Sequence, residues 1–169
     1  LLLPLLAGAT APALNLWVAP LWLPYAPALA ARGVALERML VIRPATRTAT
    51  LWATRQALAS SACHCVLAWL DRPDMAALRR LQLAAEDSGT PLLLFRPLHA
   101  ARQPSPAGLR LQLSATADAL RIDILKRRGP AAAAPVLLPL ERPWKSPQDV
   151  VDRPHLPRPA AAGVHARLV

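Results

Sequence analysis

The sequence predicts an α/β fold with a mainly parallel sheet, and three observations predict it. The first is residues 62–70, ACHCVLAWL, a short apolar run between Ser60-Ser61 and Asp71-Arg72-Pro73. A run of that length between turn residues has the character of a strand buried on both faces. The second is the patterned helix after it and the similar run at 92–95. Strand, helix, strand at that spacing is a crossover unit, which makes the strands parallel. The third is the change of pattern beyond residue 108. There 109–114 and 119–126 alternate apolar and polar residues across a short connection, as an antiparallel hairpin does.

Taken in order, residues 1–7 predict a helix that Gly8 ends, and 15–19, NLWVA, the first strand. Pro20 and Pro24 break that strand and lead into a short helix at 25–32, with Gly33 past its end. Residues 38–42, RMLVI, are the second strand, stopped by Pro44. Thr46 or Thr48 caps the next helix, which runs to residue 60. Leu51, Trp52, Arg55, Leu58 and Ala59 show the spacing of its half-buried face, with Trp52 read as core. After the central strand, Asp71 or Asp74 caps a helix at 73–87. Met75, Leu78, Leu81 and Ala85 line its inner face, and Arg79, Arg80, Gln82 and Glu86 its outer face. Gly89 ends it and 91–96 is the fourth strand; 99–107 is a loop, and 136–140 adds an edge strand beyond the hairpin. Residues 1–140 are thus one domain. From residue 141 the prolines 143, 147, 154, 157 and 159 deny regular structure, so 141–169 is expected to be a largely disordered tail. Trp144 is its one large apolar side chain, either an anchor onto its own domain or a partner contact.

At 169 residues the chain can bury a real core, and no apolar run approaches a membrane span although 54% of residues are hydrophobic. Residue 1 is Leu, and the chain is read as a fragment that lacks its N-terminus. The net charge is +10, carried by arginine apart from Lys126 and Lys145. Such a surface attracts nucleic acid; with the Ala, Pro and Leu excess, a compositional origin accounts for it as well. Cys63 and Cys65 flank His64. In a regular strand the two thiols share one face and the imidazole the other, so the three do not converge on one metal. The cysteines read as buried structural residues in a reducing, cytoplasmic setting.

Several chemistries are missing from the sequence. It holds no phosphate-binding G-x-x-x-x-G-K-[ST] loop and no G-x-S-x-G around Ser60 or Ser61. His64, His99, His155 and His165 are isolated, and Asp71 and Asp74 serve as helix caps. No catalytic, cofactor-binding or metal-ligating residue is assigned, and no cofactor is expected.

The strings PYAPALAARG (24–33), CVLAWL (65–70) and ILKRRG (124–129), in this order within 15–143, resemble the RecA-like fold and, within it, the ImuA family. Those are accessory proteins of bacterial damage-induced mutagenesis. The resemblance extends through 16–34, 37–44, 51–70, 77–97, 105–113 and 120–129. It implies a mainly parallel RecA-like sheet flanked by helices, with a C-terminal antiparallel hairpin. Where RecA places a catalytic Glu after the first of these strands, this chain has Pro20 and Leu21. Where RecA supplies an Asp to the Mg²⁺ shell, it has Ala68, Trp69 and Leu70, with Asp71 just beyond. Without those groups a RecA-like core does not position Mg²⁺ and water for phosphoryl transfer. The resemblance therefore implies a non-catalytic adaptor of the SOS response, in translesion DNA synthesis and repair. Its implied partners are the Y-family-like protein ImuB and an error-prone replicative-type DNA polymerase, with weak DNA contact and no membrane. The candidate contact residues are Lys126, Arg127 and Arg128 at the hairpin end, and Trp144; a solvated strand end accounts for the basic trio equally well. Two alternatives stand beside this: a SulA-type inhibitor that binds the tubulin-like division protein, and an ATP-dependent DNA-binding protein whose phosphate loop lies upstream of Leu1.

Overall fold

Residues 1–10, 12–130 and 134–140 are described by a computed structural model. Four apolar runs become parallel strands: β1 (Leu14–Val18), β2 (Met39–Ile42), β3 (Cys63–Trp69) and β4 (Leu92–Phe95). Their order is β2-β1-β3-β4, so the winding reverses between β1 and β3. Such a reversal opens a crevice at the carboxyl ends of the two strands, where ligands of α/β sheets bind. Among the described residues no helix is long and apolar enough to cross a membrane.

Alternating side chains of these strands feed two apolar layers. Leu16, Val18, Val66 and Ala68 face α3 (Arg47–Ala59) and α4 (Met75–Ser88), which contribute Ala57, Leu58 and Leu81. On the other face Cys65 and Leu67 meet Leu6 of α1 (Leu3–Ala7) and Leu29 of α2 (Ala26–Ala30). Thr46 caps α3, its Oγ1 accepting from the Ala49 N–H at 3.1 Å. Asp74 caps α4, its Oδ1 accepting from the Ala77 N–H at 2.6 Å. Each cap satisfies a donor that the first turn leaves open. Gly89 ends α4 with φ 66°, a left-handed conformation that glycine adopts without Cβ strain. Beyond β4, β5 (Arg110–Ala115), β6 (Ala119–Lys126) and β7 (Val136–Pro139) form a separate antiparallel sheet in the order β5-β6-β7. The architecture is the expected one, a parallel sheet flanked by helices and followed by antiparallel strands. The tail expected over 141–169 lies outside the described residues.

Four expectations are corrected. The buried face of α3 is Thr50, Thr54, Ala57 and Leu58, whereas Trp52 is 64% exposed and Arg55 and Ala59 face solvent. The threonines escape a polarity penalty because each hydroxyl donates within the helix: Thr54 Oγ1 to the Thr50 carbonyl at 2.7 Å, and Thr50 Oγ1 to that of Thr46 at 3.0 Å. Met75, assigned to the inner face of α4, is exposed, and Ala77 is buried with Leu78 and Leu81. Residues 99–107 are not wholly irregular, since a 3₁₀ helix spans Leu98–Arg102.

Cys63 and Cys65 do not share a face. Leu14 pairs with Cys63 but Asn15 pairs with Cys65, so His64 is an extra residue that bulges β3. Cys63 packs toward the α3 and α4 side and Cys65 toward α1. His64 Nε2 lies 2.9 Å from the Leu5 carbonyl, and fully buried Asn15 donates from Nδ2 to the Leu6 carbonyl at 2.8 Å. Cys65 Sγ donates to Asn15 Oδ1 at 3.2 Å. His64 and Asn15 thus bond carbonyls of α1, and Cys65 braces Asn15. Burial, and then the charge of Cys63, pushes the Cys65 thiol up to about 11 from 9.0. The folded chain therefore keeps a proton that the unfolded chain releases. Stability from this thiol is complete below pH 9.0 and falls between pH 9.0 and 11. The expected slope is at most about 1.4 kcal/mol per pH unit. Urea unfolding across that range measures it: Cys65→Ser should flatten the decline, and parallel profiles for the two chains would contradict the assignment.

Candidate functional site

Parallel strands all end at one edge, so β1 to β4 deliver their following residues to the same side of the molecule. At the end of β1, Ala19 continues the ladder by donating its N–H to the Ile42 carbonyl at 2.8 Å. It then takes φ 55°, left-handed for a residue with a Cβ. That conformation costs about 1–2 kcal/mol. The turn buries Pro20 and sends the next residues outward. Leu21, Trp22, Leu23 and Tyr25 are each 65–72% exposed. Single apolar side chains on a surface are ordinary, but four within five residues form a contiguous patch of the kind that marks interaction sites.

The loop adjoins a groove of about 550 Å³ between α1, α2 and β7, lined by Leu3, Trp17, Tyr25, Leu29, Leu138 and Leu140 among others. Trp17 begins an aromatic ladder across the sheet: it stacks on Trp69 at 5.6 Å, and Trp69 on Phe95 at 4.5 Å. The Trp17 Nε1 hydrogen has no partner among the described residues.

The RecA resemblance would place phosphoryl-transfer groups at the ends of β1 and β3. Buried Pro20 and exposed Leu21 follow β1. At the end of β3, Ala68 and Leu70 are buried and Trp69 belongs to the aromatic ladder. Asp71 is engaged by Arg72 Nε at 3.4 Å and His99 Nε2 at 3.9 Å. Next to it, Arg96 Nη2 donates to Gln103 Oε1 at 2.6 Å, and Arg110 Nη2 donates to the Ala100 and Ala101 carbonyls at 3.0 Å each. Arg110 thereby ties the 3₁₀ helix to β5. Burial, and then Arg110, lowers the pKa of the Arg96 guanidinium, with Asp71 opposing them. Among the described residues no three His, Cys, Asp or Glu side chains gather in a way that would hold a metal ion.

Of the residues singled out from sequence, Lys126, Arg127 and Arg128 are exposed at the end of β6, on the second sheet. Lys126 Nζ donates to the Ser105 carbonyl at 3.1 Å, and Arg127 Nε to that of Pro130 at 2.6 Å. Lys126 is thus tied to the segment before β5, and Arg127 to the turn after β6. Trp144 lies outside the described residues. Sequence reasoning missed the loop itself, having read Pro20 and Pro24 only as a break before a helix. A signal was available: residues 20–31 contain three prolines and no charged side chain, although loops are ordinarily polar.

No protein-family model matches the chain, and no curated protein matches it either. Among solved structures the chain is similar to SulA from Pseudomonas aeruginosa, with 28% sequence identity and a TM-score of 0.46. The match covers 55% of this chain and 81% of that chain.

Proposed function

We propose that this chain is a non-catalytic interaction module of the RecA-like class, which acts by holding a protein partner and not by turning over nucleotide. The observation that carries the reading is the outward apolar loop Leu21, Trp22, Leu23 and Tyr25. It stands at the edge of the sheet where α/β enzymes keep their chemistry. Pro20 and Leu21 at the end of β1 support the same reading, because neither activates water. The finer proposal is the adaptor role that the ImuA resemblance implies, with ImuB and an error-prone replicative-type polymerase as partners. The second reading is a division inhibitor of the SulA type that binds the tubulin-like division protein.

One set of titrations tests the module and separates the partners. The whole chain is titrated against purified ImuB, the polymerase and the tubulin-like protein, alongside Trp22→Ala. Binding to one of the three is expected. A central Trp anchor contributes about 2 kcal/mol or more, so Trp22→Ala should weaken that binding roughly 30-fold. Binding to ImuB or the polymerase supports the adaptor, and binding to the division protein alone supports the inhibitor. Hydrolysis of ATP above background by the purified chain would sink the module reading, and binding to none of the three would sink the named partners.

A further inference from the structure

The charges around the exposed loop indicate what kind of partner it takes. The pairing Val18↔Ile42 puts the end of β2 beside the end of β1, so Arg43 flanks the root of the loop. Arg47 opens α3 four residues later, at the same edge. Both side chains are exposed, and among the described residues neither has a carboxylate within ion-pair distance. The first turn of α3 holds no acidic residue. The aspartates of this edge are committed elsewhere, Asp71 to Arg72 and His99, and Asp74 to the cap of α4. An apolar centre with arginines beside it, and no acid of its own left over, is half of a complementary pair.

We propose that the loop and the two arginines form one docking surface for an acidic protein segment. Large apolar side chains of that segment would pack on Leu21, Trp22, Leu23 and Tyr25, and its carboxylates would pair with Arg43 and Arg47. The inference deepens the module reading and rests on it. Trp and Arg are the side chains that dominate protein interfaces, and an Arg–carboxylate pair fixes register by its fork geometry. Single-stranded nucleic acid also combines basic and aromatic contacts. The aliphatic character of Leu21 and Leu23 favours protein instead, because neither offers a face on which a base can stack.

A phage-displayed library of random 16-residue peptides, selected on the whole chain, tests this whatever the natural partner is. Enriched peptides are expected to combine Asp or Glu with Leu, Ile, Phe or Trp. As synthetic peptides they should lose at least tenfold in affinity to Trp22→Ala and to the double variant Arg43→Ala/Arg47→Ala, and weaken as salt rises. The double variant Arg79→Ala/Arg80→Ala removes the same charge from the exposed face of α4 and should leave affinity within twofold. Circular dichroism of each variant keeps misfolding from passing as lost binding. Several results would overturn the proposal: no enrichment, peptides without an acidic excess, equal losses in the two double variants, or displacement by oligothymidine that depends on Trp22. The two readings fail separately. If acidic peptides bind at the loop while all three purified proteins do not, the named partners fall and the surface stands. If a purified protein binds through Trp22 while no acidic peptide is enriched, the module stands and the acidic chemistry falls.

Discussion

Trp69→Ala should lower the unfolding free energy by about 3 kcal/mol, the low end of the cost of truncating a large aromatic in a core, because Trp69 is half-buried. Trp69 is the middle rung of the ladder, 5.6 Å from Trp17 and 4.5 Å from Phe95, with interplanar angles of 25° and 10°. Its loss leaves two rings facing a gap and removes two stacking contacts, each worth about 0.5–1.5 kcal/mol beyond the area buried. The three rings sit on β1, β3 and β4, so they join the strands on either side of the crevice. Trp69→Phe retains a ring in the gap and should cost less than half as much. Guanidinium unfolding of the two variants is the measurement; a loss below about 1 kcal/mol for Trp69→Ala would show that the ladder is not structural.

Asn15→Leu should cost about 2–4 kcal/mol although it puts a larger apolar side chain into the same strand. Asn15 is fully buried, and its amide is a two-way bridge: Nδ2 donates to the Leu6 carbonyl, and Oδ1 accepts from Cys65 Sγ. Leucine leaves that carbonyl unpaired away from water at a cost of about 1–3 kcal/mol and overpacks a filled site at about 1–3 kcal/mol more, while the thiol, a weak donor, adds little. The loss should be local as well as global. α1 has five residues, too few to be helical on its own propensity, and is held by Leu6 packing and by these side-chain bonds. Hydrogen exchange in Asn15→Leu should therefore accelerate at α1 before it accelerates in β1 and β3. Uniform acceleration across the chain would argue that Asn15 acts on the sheet and not on the helix.

Much of the fold is legible in the sequence because the signals are local. Apolar runs between turn residues gave the four parallel strands to within one or two residues, alternation gave β5 and β6, Gly89 marked a helix end, and the caps Thr46 and Asp74 were each one of two candidates. Periodicity failed on α3, where a Leu and Trp pattern suggested one face and the sheet took another. Thr50 and Thr54 go inside because their hydroxyls find partners within the helix, and Trp52 is left outside. Hydropathy scales rank a threonine as polar whether or not its hydroxyl has a partner.

The candidate site was less legible, since exposure belongs to the folded chain and not to a residue type. Lys126, Arg127 and Arg128 drew attention as a charge cluster, while Pro20 and Pro24 were read only as a break before a short helix. By itself the sequence determined the α/β class, the parallel crossover and the absence of a carboxylate at Pro20 and Leu21, because these depend on residue type and order. Only the tertiary structure decided that the His64 bulge parts Cys63 from Cys65, and that the turn at Ala19 directs Leu21, Trp22, Leu23 and Tyr25 into solvent. A register shift and a left-handed turn are settled by what the neighbouring strands and helices allow, and that information lies in residues far along the chain.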